Sequence, residues 1–235
     1  MYMECLPLKE NVVWKTEYQL LSEKLNEGLH IFKIAVDEHF TKIESIYKDF
    51  LTEREILKSN RFRHKKDRDS YIVRKYITRK ILSSFLNVQQ NEIQYLKAGN
   101  KKPIVQGLEF NVSHSNNLIL IAVGSLPVGV DVELMKQDFS FTSLLADCFH
   151  QDETILIKNS KDQLTCFYGL WTRKEAILKA TGEGLIEELP EINCLPNQIS
   201  RKNENFNLFS FLIEKHYVAS IAVSSLVQEI NFWTY

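Results

Sequence analysis

The 235-residue sequence predicts a mixed α and β fold in which each half of the chain supplies both strands and a long helix. Three observations carry that expectation. Runs rich in β-branched and aromatic residues recur at 29–36, 108–134 and 206–225. Two long segments, 67–86 and 164–180, repeat apolar residues at helical spacing. A composition of 44% hydrophobic and 25% charged residues matches an ordinary globular protein with ample material for a core. The length suits one large domain or two small packed ones.

The elements follow in chain order. LHIFKIAV, 29–36, reads as an early strand. In LTEREILKSNRF, Thr52 is an N-cap with Glu55 three residues on, the signature of a capping box opening a helix. DRDSYIVRKYITRKILSSFL is a stronger helix, with Val73, Ile77, Ile81 and Phe85 in one row and Ile72, Tyr76, Leu82 and Leu86 beside it. Its arginines and lysines are expected on the opposite side. Residues 87–100 read as a loop with a short strand at 93–96. LEFNVSHS, LILIAVG and VGVDVEL are strands separated by Asn116-Asn117 and by Ser125 to Pro127. The helix over 164–180 takes Phe167, Leu170, Trp171, Ile177 and Leu178 as its apolar face, and FNLFSFLIE and YVASIAVSS return to strands. No convincing repeat, low-complexity tract or long linker appears, so the boundary near residues 115–125 is soft. The chain is divided as 1–120 and 121–235.

Bulk properties exclude several classes. A net charge of −1 gives no global field for nucleic acid or an anionic membrane. Cys5, Cys148, Cys166 and Cys194 are scattered without a C-x-x-C, which argues against a zinc site or a disulfide framework and fits a reducing cytoplasm. The opening MYMECLPLKENVVW lacks a basic and then apolar leader pattern, and no apolar run is long enough to span a bilayer. Charge is nevertheless uneven, with ten Lys or Arg between Lys58 and Lys80 against Asp67 and Asp69. Such a concentration suits phosphate groups or an acidic partner, and equally a solvated helix face. No aromatic-basic interleaving or nucleic-acid motif accompanies it.

Three short stretches carry possible chemistry. On the strand VGVDVEL, Asp131 and Glu133 point to one face while Val130 and Val132 point to the other. Two such carboxylates repel unless a cation lies between them, and hard oxygen ligands suit Mg²⁺. A solvated strand edge has the same pattern. FNVSHS ends a strand with Ser113, His114 and Ser115, side chains able to donate to phosphate oxygens or simply to close a turn. In WTRKEAILKATGEGL, Glu175 and Lys179 stand one helical turn apart, as a common i,i+4 pair or as a charged edge facing a ligand. Gly182 ends that helix more naturally than it binds phosphate.

Taken in order, KKP, FNVSHS, VGVDVE and W-T-R-K-E-A-x-x-K-A-x-G-x-G-L resemble the motif series of the 4′-phosphopantetheinyl transferases, in the long, two-lobed Sfp-type branch. The resemblance runs from about residue 29 to 223 and includes the first-lobe helices of LTEREILKSNRFRHKKDRDSYIVRKYITRKIL. It implies an α+β fold of two similar lobes related by a pseudo-two-fold axis, with the active site in the cleft between them. It implies transfer of the phosphopantetheinyl arm of coenzyme A to a serine of an apo acyl or peptidyl carrier protein, releasing adenosine 3′,5′-bisphosphate. By motif match, Asp131, Glu133 and Glu175 are expected to hold Mg²⁺, with Mn²⁺ as an alternative. Glu175 is the expected base for the serine, unless a metal-bound water takes that role. Lys179 is expected on the phosphate and the leaving group, Ser113 and His114 on CoA phosphates, and Lys102 near the adenine and ribose 3′-phosphate. A monomer working in the cytoplasm is expected, since both half-sites lie in one chain.

One position departs from the family pattern. Where the family carries an arginine for the 3′-phosphate, three residues after Asp67, this chain has Ser70. Arg68 or Arg74, nearly a turn away on either side, takes its place in this reading. Three competing readings remain: an enzyme that hydrolyses or transfers a nucleotide phosphate without a carrier protein, a degenerate binding module, and a nucleic-acid binder using the 58–80 segment. The degenerate module predicts a missing ligand or lysine, yet Asp131, Glu133, Glu175 and Lys179 are all present.

Overall fold

The structure is a computed structural model describing residues 5–10, 12–16, 28–97, 102–184, 186 and 188–235. Lys101 of the KKP stretch and Leu185 of WTRKEAILKATGEGL lie outside the described residues. Strand β1 (Leu29–Ala35) leads into helices α1 (Val36–Ile43), α2 (Glu53–Ser59) and α3 (Lys65–Leu86). Two short strands, β2 (Leu96–Lys97) and β3 (Pro103–Ile104), precede β4 (Glu109–Ser115), β5 (Leu118–Gly124) and β6 (Val128–Leu134). Helices α4 (Leu145–Cys148), α5 (Gln151–Asn159) and α6 (Gln163–Thr181) come next. Strands β7 (Gln198–Arg201), β8 (Glu204–Ile213), β9 (Tyr217–Ser224) and β10 (Ile230–Thr234) follow.

Two four-stranded sheets organise these elements, in the orders β10-β1-β5-β4 and β6-β9-β8-β7. The strand period of two gives each sheet two distinct faces. Leu29, Ile31, Leu118 and Leu120 of the first sheet pack against Val130, Val132, Phe211 and Ile221 of the second. The opposite face of the first sheet, including Phe32, Ile34, Ile119 and Ile121, packs on Ile72, Val73, Ile77 and Ile81 of α3. The far side of the second sheet is covered by α6, through Ala176, Ile177 and Ala180 against Leu208 and Ala222. The result is four layers, helix on sheet on sheet on helix. Both sheets are therefore buried on both faces, which is why β1, β5 and β9 read as nearly continuous apolar runs.

Local chemistry sets the ends of the elements. Thr52 Oγ1 accepts from the Glu55 N–H at 3.3 Å and the Thr52 N–H donates back to Glu55 Oε2 at 3.1 Å, the reciprocal capping box read from the sequence. Asn87 closes α3 in the left-handed region, where asparagine is tolerated, and Gly182 does the same for α6. Asn116, at φ 50°, allows the tight β4–β5 hairpin, and Lys202-Asn203, both at positive φ, turn β7 into β8.

Three expectations need correction. The cations of α3 do not all face solvent: Arg79 is 3% exposed, donating to Glu55 Oε2 at 3.2 Å and to the Ile93 carbonyl at 3.1 Å. Burial alone would raise the Glu55 pKa, but the Thr52 N–H, Arg79 and Lys75 together hold it below the usual carboxylate range. Second, α6 is buried almost all round, with Thr172, Arg173 and Lys174 inside and Trp171 only half-buried. Third, residues 93–96 are mostly irregular, and the strand there is only Leu96–Lys97. β10 was not anticipated; its five residues pair parallel to β1, bringing the 230–234 segment back to the first sheet.

Gly129 fixes how closely α6 approaches β6. A Cβ there would stand 2.0 Å from the Ala176 carbonyl oxygen and 2.4 Å from the Ala180 nitrogen, both backbone atoms that cannot swing aside. Gly129→Ala is expected to destabilise the protein by about 3 kcal/mol through overpacking. Thermal unfolding should show a midpoint lowered by roughly 6–12 °C; an unchanged midpoint would contradict this packing.

Candidate active site

The edge strands β4 and β6 meet through side chains. The amides of Val130, Val132 and Leu134 donate to Asn111 Oδ1 at 2.9 Å, Ser113 Oγ at 3.2 Å and Ser115 Oγ at 3.0 Å. Residues two apart on each strand share an edge, so the contacts repeat in register. The two serines do more than accept. Ser113 Oγ donates to Asp131 Oδ1 at 2.8 Å, and Ser115 Oγ donates to Glu133 Oε2 at 2.9 Å. Each serine thus joins one carboxylate and the amide that follows it in β6.

Lys179 enters this junction from α6. Its Nζ lies 2.6 Å from Asp131 Oδ1, 3.2 Å from Ser113 Oγ and 3.4 Å from the Val130 carbonyl oxygen. Asp131 is 3% exposed, and its second oxygen, Oδ2, is buried without a hydrogen-bond partner. Glu133 and Glu175 belong to the same electrostatic group. Burial, with the Asp131 charge next, pushes the Glu133 carboxyl up to about 7, and the same two causes raise Glu175. The Lys179 charge opposes both shifts without overcoming them.

The donor chemistry fits a hard divalent cation. Three carboxylates contribute to one field, and Asp131 Oδ2 is a buried oxygen with no hydrogen-bond partner. Among the described residues, however, no three His, Cys, Asp or Glu side chains stand as a formed metal cage. Asp131 is instead held by the Lys179 ammonium. Mg²⁺ commonly takes one or two carboxylates and fills its octahedron with water and substrate phosphate, so a complete protein cage is not a requirement of that ion.

Basic residues approach from the first sheet and α3. His114 is an exposed residue, but its ring sits close enough to protein that burial, followed by the Arg74 and Lys179 charges and opposed by Asp67, lowers its pKa to about 4. The imidazole is therefore neutral at pH 7 and has one N–H to donate. Arg74 lines a cavity of about 250 Å³ with Lys58, Tyr71, Lys75, Thr78 and Tyr95. Three buried polar atoms on this lining, Arg74 Nε, Thr78 Oγ1 and Tyr95 OH, have no hydrogen-bond partner. Arg68 is engaged differently, donating from Nε and Nη2 to Asp69 Oδ1 at 3.1 Å each. Ser70 is buried at 7% exposure. Lys102 bonds Glu109 Oε2 at 3.1 Å and lines a separate cavity of about 370 Å³ beside Gly182 and Thr181.

The structure thus brings Ser113, Asp131 and Lys179 into direct contact, with Glu133 joined through Ser115 and Glu175 in the same field. Ser113 uses its hydroxyl proton on Asp131 and accepts from both Val132 and Lys179, so its hydrogen-bonding capacity is filled within the protein. Arg68 lies in an ion pair of its own.

Several supporting residues escaped the sequence reading. Arg173, 1% exposed, donates to Ser210 Oγ, the Cys194 and Leu195 carbonyls and Asn197 Oδ1. Lys174 pairs with Glu153 at 2.8 Å, both fully buried, and donates to the Leu189 and Ile192 carbonyls. Glu153 in turn accepts from the His150 and Cys194 amides at 2.8 and 2.7 Å. Losing one member of such a pair leaves a buried charge, at a cost of about 3–5 kcal/mol. The adjacent Arg173-Lys174-Glu175 in the middle of a largely apolar helix was the available signal: three charges in a row cannot all share the one exposed stripe.

Comparison with known proteins agrees across both halves of the chain. The family described as the 4′-phosphopantetheinyl transferase superfamily matches residues 127–225, and the family described as 4′-phosphopantetheinyl transferase, N-terminal, matches residues 41–125. The 4′-phosphopantetheinyl transferase HetI of Nostoc sp. is 29% identical over 224 residues, covering 90% of this chain and 94% of that protein. The 4′-phosphopantetheinyl transferase Sfp of Bacillus subtilis is 27% identical over 169 residues, 67% of this chain and 72% of that one. The 4′-phosphopantetheinyl transferase gsp of Aneurinibacillus migulanus is 31% identical over 128 residues, 53% of each. The two family matches abut at the β5–β6 connection, so one chain carries both parts of the long form, and it belongs to the 4′-phosphopantetheinyl transferase superfamily, in the Sfp-type branch.

Proposed function

We propose that this transferase moves the phosphopantetheinyl arm of coenzyme A to a serine of an acyl or peptidyl carrier protein at the β4–β6 junction, with a divalent cation, Mg²⁺ or Mn²⁺, bound by Asp131, Glu133 and Glu175. The observation that carries this reading is the contact of Lys179 with Asp131 beside the unpartnered Asp131 Oδ2. It sets a cation-seeking carboxylate next to a phosphate-seeking ammonium. Two similar lobes related by a pseudo-two-fold axis are retained in this reading, but a division at 120/121 would cut β5, so the boundary is moved to the β5–β6 connection, where the first four-stranded sheet gives way to the second, with β10 crossing back to the first. The enzyme is assigned to the cytoplasm as a monomer, on its four free cysteines and on having both family halves in one chain. No described helix is long and apolar enough to cross a membrane.

In this mechanism the carrier serine oxygen attacks the phosphorus that bears the pantetheine arm. The bond from that phosphorus to the bridging oxygen breaks, and adenosine 3′,5′-bisphosphate leaves. Such displacements are accelerated chiefly by positioning and electrostatic stabilisation. Glu175, on the half-exposed edge of α6, accepts the serine proton directly or through water. Lys179 releases Asp131 to hold the pyrophosphate and stabilise the leaving oxygen. His114 donates its N–H to a CoA phosphate. Ser113 acts by orienting Asp131 and Lys179, because its own hydrogen bonds are filled. A divalent cation at the carboxylates supplies charge neutralisation for the pyrophosphate.

The ribose 3′-phosphate is assigned to Arg74 rather than Arg68. Arg74 lines the cavity with an unpartnered Nε, whereas Arg68 is paired with Asp69. Lys102 is kept for the adenosine end of CoA, where it would exchange Glu109 for the ligand.

Intact-protein mass spectrometry of an apo carrier protein incubated with the enzyme, CoA and Mg²⁺ tests the reaction. A gain of one phosphopantetheinyl group, abolished by EDTA, is expected; no gain across acyl and peptidyl carriers would overturn the proposal. For the phosphate assignment, Arg74→Ala should weaken CoA binding by about 2 kcal/mol, roughly thirtyfold, through loss of a charged hydrogen bond. Calorimetry should find Arg68→Ala close to the parent protein, and the reverse ranking would return the role to Arg68.

A further inference from the structure

We propose that Ser115 is a positioning residue that fixes the Glu133 carboxylate for the divalent cation. The inference rests on the transferase reading above and concerns a residue that reading leaves without a role. Asn111, Ser113 and Ser115 stand two apart on β4 and each accepts one β6 amide. Their partners differ in what precedes that amide. Before Val130 comes Gly129, which has no side chain, and Asn111 only joins the strands. Before Val132 comes Asp131, which Ser113 shares with Lys179. Before Leu134 comes Glu133, whose carboxylate accepts a hydrogen bond from Ser115 Oγ at 2.9 Å.

The Glu133 carboxylate is separated from its strand by three side-chain torsions that the backbone does not fix. The amide of Leu134 anchors Ser115 Oγ at 3.0 Å, so the hydroxyl proton is aimed at one Glu133 oxygen and leaves the other to a ligand. Hydrogen bonds that orient ligating groups in this way typically change metal affinity by 10–100-fold when lost. Asn111 makes the same kind of strand contact without touching a carboxylate, so it separates joining the strands from aiming the ligand.

The test measures Mn²⁺ binding directly by electron paramagnetic resonance, with thermal melting in parallel, for the parent protein, Ser115→Ala, Ser115→Thr and Asn111→Ala. Ser115→Ala should weaken Mn²⁺ binding about tenfold, with Ser115→Thr, which keeps the hydroxyl, restoring most of it. In turnover, Ser115→Ala should raise the Mg²⁺ concentration needed for half-maximal rate while the rate at saturating Mg²⁺ stays near the parent value. Asn111→Ala should lower the melting midpoint with Mn²⁺ affinity within about twofold of the parent. Equal Mn²⁺ binding by the parent and Ser115→Ala, or equal losses in Ser115→Ala and Asn111→Ala, would overturn the role of Ser115. Failure of the parent protein itself to bind Mn²⁺ would overturn the cation reading, and this proposal with it.

Discussion

On the outer edge of β6, the amides of Val130, Val132 and Leu134 find side chains of β4 where a neighbouring strand would ordinarily present carbonyls. A side-chain oxygen reaches further from its strand than a carbonyl does, so the two edges are linked without merging into one ladder. Both amide satisfaction and carboxylate placement then depend on the same three side chains. This contact is where the two sheets exchange chemistry as well as surface: the first supplies hydroxyls and an imidazole, the second supplies acids.

The third partner of the junction, α6, is set by packing on its other sides. Gly129 lets its backbone rest on β6, while Arg173 and the Lys174–Glu153 pair tie it to the 189–197 segment and to the start of α5. Such groups are expensive to bury and are kept inside only because every one is hydrogen-bonded. Glu175 and Lys179 are left on the half-exposed stripe facing the junction. Within one helix, then, neighbouring charged residues divide into those that hold the element in place and those that meet the ligand.

Much of this was legible in the sequence because it rests on local rules. The capping box at Thr52 and Glu55, the apolar rows of α3 and the same-face placement of Asp131 and Glu133 follow from periodicity and hydrogen-bonding chemistry alone. What resisted was long-range. Whether Arg68 or Arg74 faces the cavity turns on a neighbouring Asp69 and on how α3 lies against β4, neither of which a single sequence displays. Arg79 reads as a surface cation until Glu55, 24 residues away, is brought beside it. Gly129 looks like ordinary strand punctuation until α6 is placed against it. β10 is short and pairs in parallel with β1, some 200 residues earlier in the chain, so no hairpin turn announces it.

The central claim, that the charged edge of α6 performs the chemistry while the junction beneath it holds the ligands, is tested most directly with Glu175→Gln. Transfer to an apo carrier protein should be followed by intact mass, and CoA binding by calorimetry, on the same preparation. The account predicts that transfer falls by at least about a hundredfold, as expected for loss of a positioned base, while CoA binding persists and the melting midpoint is unchanged. Transfer near the parent rate would contradict the assignment of Glu175 and move the chemistry away from this edge of the helix.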